Sequence, residues 1–470
     1  MRDTEQVRRW STAAPPLLLA ALIGIVAGCG GSQKPSSAGG GSTKPITVWI
    51  GEDQPDRLSA TRANAADFTR RSGIAVKVVP IGDDALPAMI DKATRAGSLP
   101  DVAQLGMASA HAYLKQGLLD GEVAQDLVDV LGEDTFSARA LSLVTIEGRV
   151  AAVPSDGWGQ LLIYRKDLFA KAGLPAPRSL SDVARAASRL QRAGMAGITL
   201  ATSDDNFTAE TFEHVALAEG CQAVDDGGNV TLTSPACRRA FDFYVRLARR
   251  YSIEGPQDVD TTRDAYFAGR AAMIFWSPFL LDARAGLRND AVPSCPQCKA
   301  DPAYLARNSG LVGPLKRSDG SAAQYGNVST WGIFERANAD GAKRFVEYMM
   351  SDGYLRWLAL SPQGKYPVRF GDHADPERFV TAWSRLQSGV ERKAPLRRFY
   401  SEASVKSLGA GVQNFQRWGF EQGHAALIGA LDGPRPIPKA LAAAIAGRID
   451  AGRAAAQAQA GAEKVKASTG

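Results

Sequence analysis

"GRVAAVPSDGWGQLLIYRKDLFAKAGLP", residues 148–175, holds two β-like runs split by a polar interruption. Val150 to Pro154 and Gln160 to Tyr164 are strand candidates, and Ser155-Asp156-Gly157-Trp158-Gly159 separates them. Arg165 then opens a short helix that Gly173 and Pro175 stop. The arrangement on either side of this stretch differs. Upstream, strand and helix signals alternate quickly: Ile46 to Ile50, a helix over Asp56 to Arg71 with Leu58, Ala65 and Phe68 on its apolar face, and Ile74 to Ile81. A second helix through Leu86, Met89, Ile90 and Ala93 ends at Gly97, and a third strand covers Asp101 to Gly106. Such βαβαβ order predicts parallel strands and an α/β lobe with both faces covered. In open sheets of this kind ligands bind beyond the carboxyl ends of strands, here Gly51-Glu52-Asp53-Gln54 and Gly106-Met107-Ala108-Ser109.

Downstream, Ser179 to Asp182 reads as a capping box opening a helix with Val183, Ala186, Ala187 and Leu190 on one face. Gly197 to Leu200 is a strand candidate. Ser234-Pro235 starts another helix, with Phe241, Tyr244, Leu247 and Ala248 at core spacing. The alanine-rich C-terminal region reads as a helix fraying into a disordered tail over 461–470. No internal repeat is present.

At the other end, Arg2, Arg8 and Arg9 precede an apolar run from Leu17 to Val26, the layout of an export signal. The run is too short for a spanning helix, which needs about 20 apolar residues. Val26-Ala27-Gly28-Cys29 resembles the lipobox of bacterial lipoproteins, so residues 1–28 are expected to be a lipoprotein signal peptide, with Cys29 lipidated and 29–44 a flexible Gly/Ser-rich tether. A chain of 470 residues with 45% hydrophobic and 22% charged content suits a two-domain soluble globule. The net charge of +6 is mild and its signs are interleaved, without the basic block that nucleic acid requires. Four cysteines remain in the exported part. Cys221 and Cys237 flank a turn at Asp226-Gly227-Gly228 that predicts a hairpin and a disulfide, worth about 3 kcal/mol by loop closure. Cys295 and Cys298, in the proline-rich "CPQC", read first as a local disulfide, with half a zinc site and a redox pair as alternatives.

Several landmarks in order, "ITVWI", "LPDVAQLG", "VAAVPSDGWGQLLIYRKDLFAKAGLP", "YFAGRAAMIFWSPFLL", "STWGIF" and "GKYPVR", resemble the extracellular solute-binding proteins of carbohydrate ABC importers, the group that includes maltose-binding protein. The resemblance covers nearly the whole exported chain and departs from the family pattern at "CPQC" and at "FWSP". It implies a two-lobed α/β fold of the periplasmic-binding-protein class II type, each lobe a mostly parallel sheet flanked by helices. The lobes would be 45–157 with 314–358 and 158–313 with 359–460, joined by hinge segments. It also implies a monomeric, non-enzymatic subunit outside the cytoplasm that binds a small carbohydrate and delivers it to membrane permease subunits served by a cytoplasmic ATPase, with no cofactor and no metal. A non-sugar solute such as a peptide or polyamine, and a lipoprotein glycoside hydrolase, are the competing readings.

Sugar recognition needs an aromatic platform for an apolar C–H face and planar polar groups for the hydroxyl rim. The candidate ligand contacts are therefore Trp158, Trp276 and Trp331, then Glu52, Asp53, Gln54, Asp156, Asp205, Asn206, Phe207 and Arg369, with Lys365 and Tyr366 weaker. Asp156 ranks first among the polar ones because it lies where the chain is expected to cross between lobes. Trp49 and Trp357 read as core residues. Enzyme signatures are lacking: the four histidines form no H-E-x-x-H pair, and neither a G-x-S-x-G elbow nor a P-loop occurs.

Overall fold

The computed structural model describes residues 44–82 and 84–469, so the expected export signal, Cys29 and all but the last residue of the tether lie outside the described residues. Ile46–Ile50 pairs in parallel with Val76–Pro80 on one side and Val102–Gly106 on the other. Pro55, placed where its missing N–H costs nothing, starts the Pro55–Ser72 helix between the first two strands, and Gly73 ends it at φ 75°. The alternation of the first strand then decides two cores. Ile46, Val48 and Ile50 join Phe68 and Val102 on one face of the sheet, whereas Trp49 joins Ala103, Leu105 and Ile90 on the other.

Three later strands complete a six-stranded sheet in the order Tyr366–Pro367, Val153–Gly159, Gly326–Ile333, Val102–Gly106, Ile46–Ile50, Val76–Pro80. Gly326–Ile333 runs antiparallel to both its neighbours, with a register shift at Ser329/Thr330. A second, three-stranded sheet has Leu161–Arg165 between Met273–Trp276 and Ser309–Val312. It too separates two cores: Leu162, Met273 and Phe275 meet Val183, Phe212 and Tyr244, while Leu161, Ile163 and Ile274 meet Tyr266, Leu305 and both cysteines of "CPQC".

Several expectations need correction. The second sheet is antiparallel throughout rather than mostly parallel, because the strands flanking Leu161–Arg165 return from distant parts of the chain instead of following a single crossover helix. Gly197 to Leu200 contributes only one parallel bridge, Thr199 with Ile274. Residues 359–383, expected in the second lobe, pack Val368, Phe379 and Trp383 into the core of the six-stranded sheet. The chain then alternates. Leu396, Tyr400 and Leu408 join the second sheet, Val412 and Phe415 return to the first, and Trp418, Ile428 and Leu431 go back to the second. The expected tail over 461–470 is helical as far as Thr469: alanines at near-helical spacing let Ala451–Thr469 lie close against Pro235–Tyr251 and Pro436–Ile445, burying Ala458, Ala462 and Val465.

Cys221 is bonded to Cys237, tying the region after the Asn206–Ala218 helix to the first turn of Pro235–Tyr251, and Cys295 is bonded to Cys298. Between the first pair the hairpin is reduced to one antiparallel bridge, Val224 with Val230.

Candidate ligand-binding cleft

The stretch from Gly148 to Pro175 holds the seam of the molecule. Val153–Gly159 belongs to the first sheet and Leu161–Arg165 to the second, with only Gln160 between them. Gly326–Ile333 pairs with this crossing so that Trp158 faces Asn327 and Gly159 faces Gly326, and the Gln160 N–H donates to the Tyr325 carbonyl at 2.7 Å. Side chains alternate along strands. Trp158, Gln160, Tyr325 and Asn327 accordingly share one side, and all four line a cavity of about 560 Å³. The glycines serve the other side. A Cβ on Gly157 would lie 2.8 Å from Val412, one on Gly159 2.6 Å from Gln324, and one on Gly326 would collide with the Phe415 ring.

The first lobe contributes Glu52, Asp53 and Gln54 after its first strand and Gly106, Ala108 and Ser109 after its third, the two carboxyl ends that sheet topology singled out. The second contributes Asn206, Phe207, Trp276 and Phe279. Ring centroids lie 4.7 Å apart for Phe207 and Trp276, and 5.6 Å apart for Trp158 and Tyr325. Hydrogen bonds span the cleft from Arg288 Nη2 to Gln54 Oε1 at 3.0 Å, from the Asn206 backbone N–H to Asp84 Oδ1 at 3.0 Å, and from Ser109 Oγ to Asp432 Oδ2 at 3.0 Å. At the Ser109 end, a Cβ on Gly429 would clash with the Ala108 carbonyl, so the Ala425–Ala430 helix sits directly on Met107–Lys115. The lobes are drawn together around the cavity.

Charges in the walls are largely neutralised by one another. Glu52 accepts from Lys365 Nζ at 2.7 Å and from Arg57 Nη1 at 3.4 Å. Burial pushes its carboxyl up, but these two cations outweigh that and hold it below the ordinary value. Lys365 also lies 4.0 Å over the Trp357 ring. Arg417 donates to Glu213 at 3.0 Å and covers the Tyr325 ring at 4.6 Å. Burial lifts Asp432 to about 6, against the pull of Arg417 and the Ser109 hydroxyl. The side chain of Gln160 differs from these: both amide atoms are buried and have no hydrogen-bond partner among the described residues, and the same holds for Asn327 Oδ1.

Of the residues singled out from sequence, Glu52, Asp53, Gln54, Trp158, Asn206, Phe207, Trp276 and Lys365 stand in the cavity wall. Four expected contacts are elsewhere. Asp156 is fully buried and accepts from Trp357 Nε1 at 2.7 Å and Ser155 Oγ at 2.8 Å, so its carboxylate binds the hinge strand to the first core. Trp331 is sealed in that core against Trp357 at 4.8 Å. Asp205 caps the Asn206–Ala218 helix by accepting from the Thr208 N–H. Arg369 donates to the carbonyls of Leu131 and Met350 and to Thr135 Oγ1, closing the ends of neighbouring elements from within. The weaker candidate Tyr366 packs on Trp383 at 4.8 Å. Gln160, Asn327, Tyr325 and Phe279 went unread, although Gln160 is two residues beyond Trp158 and a period of two assigns it the same face.

Over 363 residues, 75% of this chain and 78% of its relative, the sequence is 26% identical to YcjN of Escherichia coli K12, a protein provisionally named as an ABC transporter periplasmic-binding protein. Among solved structures, T. maritima MalE3 with maltose bound superposes with a TM-score of 0.68 at 20% identity, covering 90% of this chain and 99% of that one. A sugar transporter protein of Arthrobacter chlorophenolicus A6 with bound laminaribiose gives 0.70 at 15% identity, covering 89% and 99%. These likenesses show a shared two-lobed fold. The family model of the bacterial extracellular solute-binding proteins matches residues 51–355, which hold four strands of the first sheet, all three of the second and the crossing between them, and the chain belongs to that family.

Proposed function

We propose that this chain is the solute-capturing subunit of an ABC importer, that its solute is a sugar or short oligosaccharide, and that it acts by binding alone. It works outside the cytoplasmic membrane, held by a lipid on Cys29, and hands the closed complex to permease subunits served by a cytoplasmic ATPase. The observation that carries the sugar reading is the floor of the cleft. There Trp158, backed by Tyr325, presents aromatic surface beside the amides of Gln160 and Asn327. A pyranose offers an apolar C–H face and a rim of hydroxyls that both donate and accept, which this combination of side chains matches. A ligand touching both walls is satisfied only when they are close, so it favours the closed arrangement by its differential affinity for it.

Calorimetric titration with maltose, laminaribiose, mannitol, glucosamine, short peptides and spermidine tests the reading. One saccharide should bind with one-to-one stoichiometry and reduce the radius of gyration in X-ray scattering. Tight binding of a peptide or polyamine with silence from every saccharide would overturn it, as would steady release of reducing sugar from a glycoside by the purified protein.

A further inference from the structure

The crossing strands carry more than a hinge. Trp158 faces Asn327 across the ladder, and Gln160 stands against Tyr325 two pairs further on, past Gly159 and Gly326, so aromatic and amide side chains occupy alternate corners of a square. The diagonal aromatic rings touch at a centroid distance of 5.6 Å. On the other diagonal stand two amides with polar atoms unmatched among the described residues: Gln160 lacks partners at both Oε1 and Nε2, and Asn327 lacks one at Oδ1. Gln160 is 1% exposed. An amide buried without partners is costly, and in the wall of a cavity the missing bonds fall to whatever occupies it. The glycines opposite allow Gln324, Val412 and Phe415 to approach too closely for any added side chain, so the square is held from behind.

We propose that Gln160 and Asn327 are the specificity-determining residues of the cleft, reading two adjacent hydroxyls of one uncharged pyranose unit that lies against Trp158. The inference rests on the sugar-binding reading above and assigns the recognition of one ring to the hinge itself. An amide both donates and accepts, so it pairs with a hydroxyl in either orientation, whereas a hydroxyl pair missing one member leaves an amide atom buried and unmatched. Discrimination against a deoxy sugar at that position follows. Because both strands join the lobes, the unit they hold also fixes the relative twist of the two sheets.

The experiment is a cycle of residue and ligand changes. Wild type, Gln160→Leu and Asn327→Leu are titrated with maltose and laminaribiose, and with the 2-deoxy and 3-deoxy analogues of whichever disaccharide binds. Unliganded melting temperatures are measured in parallel. Gln160→Leu should weaken the parent disaccharide at least tenfold, with melting unchanged or raised because an unmatched amide has been removed. For one deoxy analogue that penalty should collapse to within twofold. A merely structural role for Gln160 predicts the same fold-loss for every analogue, and that result overturns the proposal, as does binding by Gln160→Leu within twofold of wild type. If the leucine variant is poorly folded, Gln160→Met, closer in length and flexibility, carries the same comparison. Failure of wild type to bind any saccharide removes the sugar reading and this inference together, whereas saccharide binding indifferent to Gln160 removes only the inference.

Discussion

Replacing Asp156 by alanine should damage the fold rather than the binding surface. Its Oδ2 accepts from Trp357 Nε1 at 2.7 Å and from Ser155 Oγ at 2.8 Å, its Oδ1 lies 3.7 Å from Lys365 Nζ, and the residue is 0% exposed. A hydrogen bond to a buried charge is worth about 1.5–3 kcal/mol, and removing one partner of a buried charged group costs about 3–5 kcal/mol. Lys365 keeps Glu52 at 2.7 Å, which softens the loss, so the alanine variant should be destabilised by about 3 kcal/mol. Asn keeps the volume and an acceptor for Trp357 while removing the charge, and should cost about half as much. Urea titration followed by tryptophan fluorescence reads both values, with calorimetry on the folded variant as the companion assay. An alanine variant that unfolds at the wild-type urea concentration but binds its solute tenfold more weakly would show that the carboxylate faces the ligand, and the reasoning fails.

Cys29→Ala should move the protein from the membrane fraction into medium or periplasm, and unchanged retention would exclude the lipid anchor. Peptide mapping of the exported protein without reduction should recover Cys221 with Cys237 and Cys295 with Cys298, whereas free thiols or stoichiometric zinc would contradict the pairing. The folded value of Asp432, about 6 against an ordinary 3.8, means that the folded state holds this proton more tightly than the unfolded one. Its contribution to stability is therefore full below about pH 4 and is lost as pH rises through 6, by roughly 3 kcal/mol. Asp432→Asn, which preserves an acceptor for Ser109, should flatten the pH dependence of melting between pH 4 and 7 relative to wild type, and parallel curves would refute the assignment.

The parts of this architecture that could be read in advance share a cause. Ile46 to Ile50, the helix closed by Gly73 and the capped helix from Ser179 are specified by neighbours a few residues away, through alternation, a proline or a cap. Ser155 to Gly159, expected to interrupt two strands, instead form most of the Val153–Gly159 strand, because the partner that pairs with them, Gly326–Ile333, lies far along the chain. What escaped was set by distant partners. Asp156 and Trp331 look like cleft residues in their own segments, and only Trp357, far along the chain, shows that both are core. Arg369 is explained by the Leu131 and Met350 carbonyls, which no local pattern reveals. Asn327 could not be placed without the register that sets it opposite Trp158, whereas Gln160 was within reach of a period of two. The antiparallel second sheet was hidden likewise, since Leu161–Arg165 finds Met273–Trp276 only after several helices intervene.

The position of Gly326–Ile333 in the six-stranded sheet has a consequence for the birth of the protein. This late segment is the strand between Val102–Gly106 and Val153–Gly159, with strands on both its sides made long before it. A chain emerging amino-terminus first can pair Ile46–Ile50 with its two parallel neighbours, but the Val153–Gly159 strand finds no place beside them until residue 333 has been made. Pairing across such a separation is slow because loop closure precedes its reward. The first lobe therefore stays unfinished through most of synthesis, a state in which the polypeptide can still be threaded through a narrow translocation channel as an extended strand. An order of strands that looks inefficient for folding is well matched to a protein that has to cross a membrane before it closes.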